Sequence, residues 1–443
     1  MATLHIGFDD TDSPRGGCTT YIAAILVEKL LKIGITFKDY PNLIRLNPNV
    51  PWKTRGNGAL CLRIVHEEDE ADTIIDTVTD TVEEHSDLSC RNTDPGVVFF
   101  QNARIPRKIR IFAKRTIQSV VNMEEALRLI KKFNAEAFGL GSGYGIVGAL
   151  AAIGETLIGD HTFEVIAYRT KTRRNTLRQI DANSVKEMDQ KTSPNTFNNI
   201  DPETRRILIT PRGPDPILYG IRGETAEVVI QAHKMIQTLE PVERWVVFRT
   251  NHGTDAHLHE IQKISEIKPY HPVIATGTVA SQPKIVPRRH RIFSLADETG
   301  KVDCAAYEPT GTLRKVVRQL IVGDCVEVHG GAKPRSTRTP LTINLEKLRI
   351  LSLAPKLKFR NPVCLECGKR MNSMGTDQGF RCSKCNYRSI KAQKTMIKEK
   401  RVLNQGLFIT SPRSQRHLTK PFSRYGKEKA GKPAKILPQW HCP

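Results

Sequence analysis

Asp9, Asp10 and Asp12 put three carboxylates within four positions, directly after a short apolar run at residues 4–8. A strand that stops at such a cluster sets hard oxygen ligands where layered α/β sheets carry their sites, and hard oxygens suit magnesium. Like charges this close repel unless a cation lies among them; an acidic turn with capping duties is the plain alternative. Thr19 and Thr20 come next, at the start of a segment with helical spacing. Hydroxyls there suit a phosphate, and they equally suit a helix cap. Glycine forms a second concentration: Gly139, Gly141, Gly143, Gly145 and Gly148 fall within ten residues. The spacing matches a dinucleotide fingerprint only formally, because no clear strand leads into it, and the segment lacks the Lys-Ser/Thr pair of a P-loop. Such density permits close backbone approach, either to a nucleotide phosphate or to a packed neighbour.

Cysteine supplies the sharpest spacing. Cys364 and Cys367 are followed after 14 residues by Cys382 and Cys385, so two Cys-x-x-Cys knuckles offer four thiolates to a tetrahedral Zn2+. Some 30 residues surround them, too few for a core of their own, and zinc contributes about 10 to 16 kcal/mol of folding free energy to such units. The remaining cysteines are scattered, as in a reducing compartment. Arg288, Arg289, Arg291 and Phe293 mix cations with an aromatic ring, the combination that single-stranded nucleic acid requires, and Lys333, Arg335 and Arg338 add charge nearby. His257 and His259 read as ordinary surface histidines rather than as metal ligands.

The elements that must hold these groups alternate. After the first strand come a helix from Thr20, a strand at 59–65, an acidic helix at 71–84, a strand at 96–100 and an amphipathic helix at 123–133. Residues 171–199 read as a loop or mobile crossing segment. Strand, helix and strand at 217–221, 225–238 and 245–249 fit a ferredoxin-like unit. Five short strands at 273–279, 290–296, 302–306, 324–330 and 341–348, with one helical patch at 313–320, resemble an OB barrel. At 443 residues the chain exceeds one core and implies roughly three domains. Its net charge of +22 attracts polyanions. Residues 391–443 carry 13 Lys or Arg against two acids. With no signal-peptide pattern at the start and no apolar run of membrane length, a soluble cytoplasmic protein with a nucleic-acid partner and no membrane is expected.

Gly7-Phe8-Asp9-Asp10-Thr11-Asp12-Ser13 followed by Gly17-Cys18-Thr19-Thr20-Tyr21 resembles the opening of the archaeal tRNA(Ile) 2-agmatinylcytidine synthetases. The glycine segment, the polar stretch at 249–257, the barrel and the cysteine knuckles come in that family's order, with Phe8 standing where an aliphatic residue is expected. The resemblance implies a multidomain α+β protein: a kinase-like domain at 1–122, a ferredoxin-like agmatine-binding domain at 123–268, an OB fold at 269–353, a zinc ribbon at 358–390, and a basic tail at 391–443 open to disorder. It implies ATP-dependent joining of agmatine to C2 of the wobble cytidine of tRNA(Ile), so that AUA rather than AUG is read. Asp9, Asp10 and Asp12 would hold Mg2+ near ATP, Thr19 would be the phosphorylated threonine with Thr20 beside it, and Gly139, Gly141, Gly143 and Gly145 would cradle the nucleotide. A guanidinium seeks a carboxylate, for which Asp215, Glu224 and Asp255 are available. Two other readings stay open: an RNA-binding protein without catalysis, and a metal-dependent RNA nuclease using the same aspartates.

Overall fold

Strand alternation builds the first layers. Along Gly58–His66, Leu60, Leu62 and Ile64 turn to one side of the sheet and Ala59 and Cys61 to the other, and all five are buried. The helices Thr19–Lys32 and Ala71–His85 cover the first side; Arg107–Gln118 and Ile146–Gly154 cover the second. Phe8 is fully buried in the first of these cores. The computed structural model describes residues 1–337, 339–431 and 435–442, so Arg338 lies outside the described residues.

One sheet runs through the first two units. Its main path is Glu136–Gly139, Gly96–Gln101, Ala2–Asp9, Gly58–His66, Asn42–Arg45, Val242–Thr250, Thr162–Arg169, Ile217–Gly223 and Thr196–Phe197. The halves meet where Val242–Thr250 lies parallel to Asn42–Arg45, with Arg249 opposite Asn42 and Thr250 opposite Leu43. Asn251 fastens that seam: its side chain accepts from the Arg45 N–H at 2.8 Å and donates to the Arg45 carbonyl at 3.0 Å. Met123–Lys132, Glu136–Gly139 and Ile146–Gly154 all pack with the first half. Residues 171–199 are not a plain loop, since they contain the helix Ala182–Thr192. Asp181 caps it by accepting from the N–H groups of Asn183 and Ser184, and Val185 and Met188, three apart, anchor it in the core.

The following strands, Pro272–Val279, His290–Ala296, Lys301–Ala306, Cys325–Lys333 and Thr342–Ser352, form a closed barrel. Closure comes where Thr278 and Val279 pair with Ala296 and Leu295. The short helix Thr312–Val317 sits between the third and fourth strands. Among the described residues, no helix is long and apolar enough to cross a membrane.

The basic tail corrects the expectation of disorder. Thr395–Glu399 pairs with Lys356–Arg360, Gly406–Ile409 extends the barrel strand Thr342–Ser352, and His441–Cys442 pairs with Val242–Thr250. Composition counts charges but not their partners: Arg401 pairs with Asp324, Arg413 with Asp201, and Arg424 is buried between Asp160 and Glu224 at 2.9 and 2.8 Å. Those cations face carboxylates instead of solvent. Arg424→Met would strand two carboxylates in a dry seam, so a loss of about 3 kcal/mol is expected in denaturant unfolding. A midpoint unchanged from the parent would show that the seam contributes nothing.

Candidate active site

The strand Ala2–Asp9 ends in a backbone that turns sharply, with Asp10 at φ 61° and Gly17 at φ 72°. A side chain at Gly17 would press on the Thr11 carbonyl, which explains glycine there. The loop is tied at both ends. The Thr11 hydroxyl donates to the Thr19 hydroxyl at 3.1 Å, where the helix Thr19–Lys32 begins. Arg55 donates to the Ser13 and Gly17 carbonyls at 3.1 and 2.7 Å and pairs with Asp12 at 2.8 Å. Thr19 and Thr20 are buried beside the acids, and Cys18 meets the Thr20 hydroxyl at 3.0 Å.

Helix Ile146–Gly154 approaches by its backbone. A Cβ on Gly148 would overlap the Asp9 carboxylate, and one on Gly145 would meet the Asp9 carbonyl at 2.6 Å. Of the predicted glycine cradle, Gly145 and Gly148 reach the cavity; Gly139, Gly141 and Gly143 do not. They shape a turn in which Ser142 N–H donates to Asp94 at 2.7 Å, and Asp94 N–H in turn donates to Asp10 at 3.3 Å. Their part in the site is thus indirect, as packing under an acid.

A cavity of about 480 Å³ opens over these groups and takes in Asp9, Asp10, Asp12, Thr19, Thr20 and Asp215. Burial raises the Asp9 carboxyl well above its ordinary range, with Asp10 and Asp12 adding repulsion. Asp10 is pushed up to about 6, by burial first and then by Asp12 and Asp94 against one backbone hydrogen bond. For Asp12 burial outweighs the opposing pull of Arg55, and the shift is again upward. Carboxylates lifted in this way are short of positive charge, the condition that a bound cation relieves.

The opposite wall comes from the second unit and the tail. Glu164 lies at its base, 2.9 Å from Arg222, 3.7 Å from Arg45 and 3.4 Å from His252. Burial alone would raise its carboxyl, but Arg222, His252 and Arg45 outweigh that and hold it well below the usual range. His252 is lowered to about 4, chiefly by burial and then by Arg222. His417, edge-on to His252 at 4.9 Å, is lowered further by burial, Arg45 and His252. Both rings are therefore neutral at physiological pH. Arg413 and Arg416 join the wall from the tail. Sequence reasoning marked the stretch at 249–257 but missed Arg45, Glu164, Arg222 and His417 as site residues. The run Trp52-Lys53-Thr54-Arg55, an aromatic with cations between turn residues, was the available signal for the loop that also lines the cavity.

Of the three carboxylates offered to a guanidinium, Asp215 alone lines this cavity, where Arg178 donates to it at 3.2 Å. Glu224 is taken by Arg424 and Lys429, and Asp255 by Lys347 and the Lys420 N–H. In the barrel, Arg288 and Arg289 are exposed, but Phe293 is 1% exposed and packs inward with Leu295. It cannot stack on a base without unfolding the barrel. His257 is likewise no surface residue: it is fully buried, 3.1 Å from Glu346.

The four cysteines do converge. Their sulfurs all lie within 4.8 Å of one another, and the Cys364–Cys385 and Cys367–Cys382 pairs stand 3.4 Å apart. Zinc–sulfur bonds of about 2.3 Å span such a shell, and the closed set of thiolates suits a structural ion. Among the described residues no comparable group forms around Asp9, Asp10 and Asp12, which line the cavity without meeting at one point.

Carboxylates and arginines facing each other across one cavity, beside a closed barrel and a four-cysteine ribbon, define a mixed α+β protein built to handle anionic substrates. Family models match it in three stretches: the TiaS TCKD domain at residues 5–142, the TiaS FLD domain at 143–257 and the TiaS C-terminal zinc ribbon domain at 361–403. Its relatives include the tRNA(Ile) 2-agmatinylcytidine synthetases TiaS of Methanosarcina mazei, 41% identical over 95% of this chain and 97% of that protein, and of Methanocaldococcus jannaschii, 40% identical over 95% and 98%. Similar solved structures include a complex of TiaS with its isoleucine tRNA and ATP, with a TM-score of 0.86 and 38% identity over 96% of this chain and 98% of that one. A complex of TiaS with the same tRNA, AMPCPP and agmatine matches with a TM-score of 0.84 and 36% identity over the same shares. The chain belongs to the tRNA(Ile) 2-agmatinylcytidine synthetase family.

Proposed function

We propose that this chain is the ATP-dependent ligase that joins agmatine to C2 of the wobble cytidine of tRNA(Ile), forming 2-agmatinylcytidine and turning codon reading from AUG to AUA. The observation that carries the reading is the meeting of Asp9, Asp10, Asp12, Thr19 and Asp215 in one cavity of a chain about 40% identical to such synthetases over nearly its whole length. In this reading the first unit works as a kinase-like domain, the second as a ferredoxin-like agmatine-binding domain, and the barrel as an OB fold holding RNA through Arg288, Arg289 and Arg291.

The cytosine C2 oxygen is a poor leaving group, so its phosphorylation must precede attack by an amine. Asp9 and Asp10, whose carboxyls are lifted by burial and mutual repulsion, fit a magnesium ion held by one or two carboxylates together with phosphate oxygens. When bound, the ion supplies charge neutralisation to the transferring phosphate. Thr19, held by Thr11 at the helix start, is the hydroxyl positioned to receive or pass on that charge. Asp215 orients the guanidinium of agmatine by paired hydrogen bonds, which turns the primary amine toward the acids. The wall of Arg222, His252 and His417 excludes water.

The decisive experiment incubates the protein with tRNA(Ile), ATP, Mg2+ and labelled agmatine. Label transferred to RNA is expected; binding without transfer points to a non-catalytic RNA-binding protein, and RNA cleavage in Mg2+ alone points to a nuclease.

A further inference from the structure

We propose that Trp52 and Lys53 form a step at the cavity mouth for the RNA nucleotide next to the reacting cytidine, the base lying on the Trp52 indole and its phosphate meeting Lys53. This rests on the function proposed above and adds to it a specificity-determining contact. A wobble base that enters the cavity must leave its stack, and each neighbour then loses a stacking partner. An aromatic ring at the mouth replaces that partner, because every base presents a π-face.

Of the three tryptophans Trp52 alone is exposed, at 51%, although it lines the cavity. It is not loose. Tyr144 holds it edge-on at 6.3 Å and an 88° angle between rings, and the Tyr144 hydroxyl donates to the Val121 carbonyl at 3.3 Å. A smaller recess continues from the same indole between Val120, Val121 and Met123. The indole is thus braced on one side and open on the other. Lys53, the next residue, is half-buried in the same cavity, and among the described residues no acid pairs with it. Its ammonium is disfavoured by burial and by Arg416, so an arriving phosphate is the group that would satisfy it. A free nucleotide bound on this ring would be expected to lie enclosed. The half-open indole fits a base still tethered to a larger RNA.

The test uses the full-length protein and tRNA(Ile) carrying 2-aminopurine at either position flanking the wobble cytidine. Binding to the parent protein should quench the fluorescence at one position; Trp52→Ala should abolish that quenching and Trp52→Phe keep it. In steady state Trp52→Ala should raise KM for tRNA about tenfold, with KM for ATP and agmatine within twofold. Lys53→Gln should lower the salt slope of tRNA binding by about one. This readout needs no change in the aromatic packing. A raised KM for ATP with an unchanged KM for tRNA would assign the ring to adenine and overturn the proposal, as would quenching that survives in Trp52→Ala. Failure of the parent protein to transfer agmatine would sink the functional reading instead, and the binding readouts would remain interpretable.

Discussion

Asp10→Asn is expected to lower agmatine transfer by at least about 10³-fold while leaving tRNA affinity within twofold. The carboxylate sits at a left-handed turn after a buried strand, where its position is set by backbone and not by a flexible side chain. Removing one hard ligand next to a transferring phosphate forfeits several kcal/mol of charge stabilisation, and each 1.4 kcal/mol is tenfold in rate. Asparagine keeps the shape and can still accept from the Asp94 N–H, so the fold is retained. Affinity for RNA stays because the barrel and ribbon lie elsewhere in the chain. Single-turnover transfer with labelled agmatine, beside a filter-binding titration, reads both quantities. Normal turnover with weak RNA binding would contradict the metal-holding role.

Withdrawing zinc should unfold the ribbon and leave the remaining units intact. The apolar core between its knuckles consists of Cys364, Met371, Phe380 and Cys382, so two of its four buried members are themselves metal ligands. Its strands are two residues long, Asn372–Ser373, Phe380–Arg381 and Arg388–Ser389. Such a core offers a few kcal/mol at most, whereas zinc binding contributes about 10 to 16 kcal/mol in comparable units. A chelator, or Cys382→Ser, should make residues 361–403 the first site of proteolysis, with one zinc lost per chain by elemental analysis. Full protection after metal loss would refute a zinc-dependent fold.

What could be read from the sequence was local in the chain. The three aspartates, the two threonines and the two cysteine knuckles declare themselves by spacing, because groups a few residues apart share a loop or a helix end wherever the rest of the chain goes. The barrel was legible for a related reason: alternation of inward and outward residues is written into each strand separately. Phe293 was misread as a base platform because its neighbouring arginines suggested a binding face, while its parity with Leu295 turns it inward. Glu224 and Asp255 looked available because a carboxylate in sequence does not reveal which cation has already met it. The wall of Arg45, Glu164, Arg222, His252 and His417 was invisible because it comes from separate segments, and the parallel seam with Asn42–Arg45 joins the two halves that carry them.

The path of the last segment has a consequence for biosynthesis. Arg413, Arg416 and His417 line the same chamber as Asp9, although four hundred residues separate them in order of translation. Earlier domains fold while the chain is still emerging from the ribosome. The chamber nevertheless stays open on one side until those late residues are released. A nascent or prematurely stopped polypeptide would therefore expose its acids and threonines without a finished vessel, so only a completed molecule acquires the power to alter a tRNA.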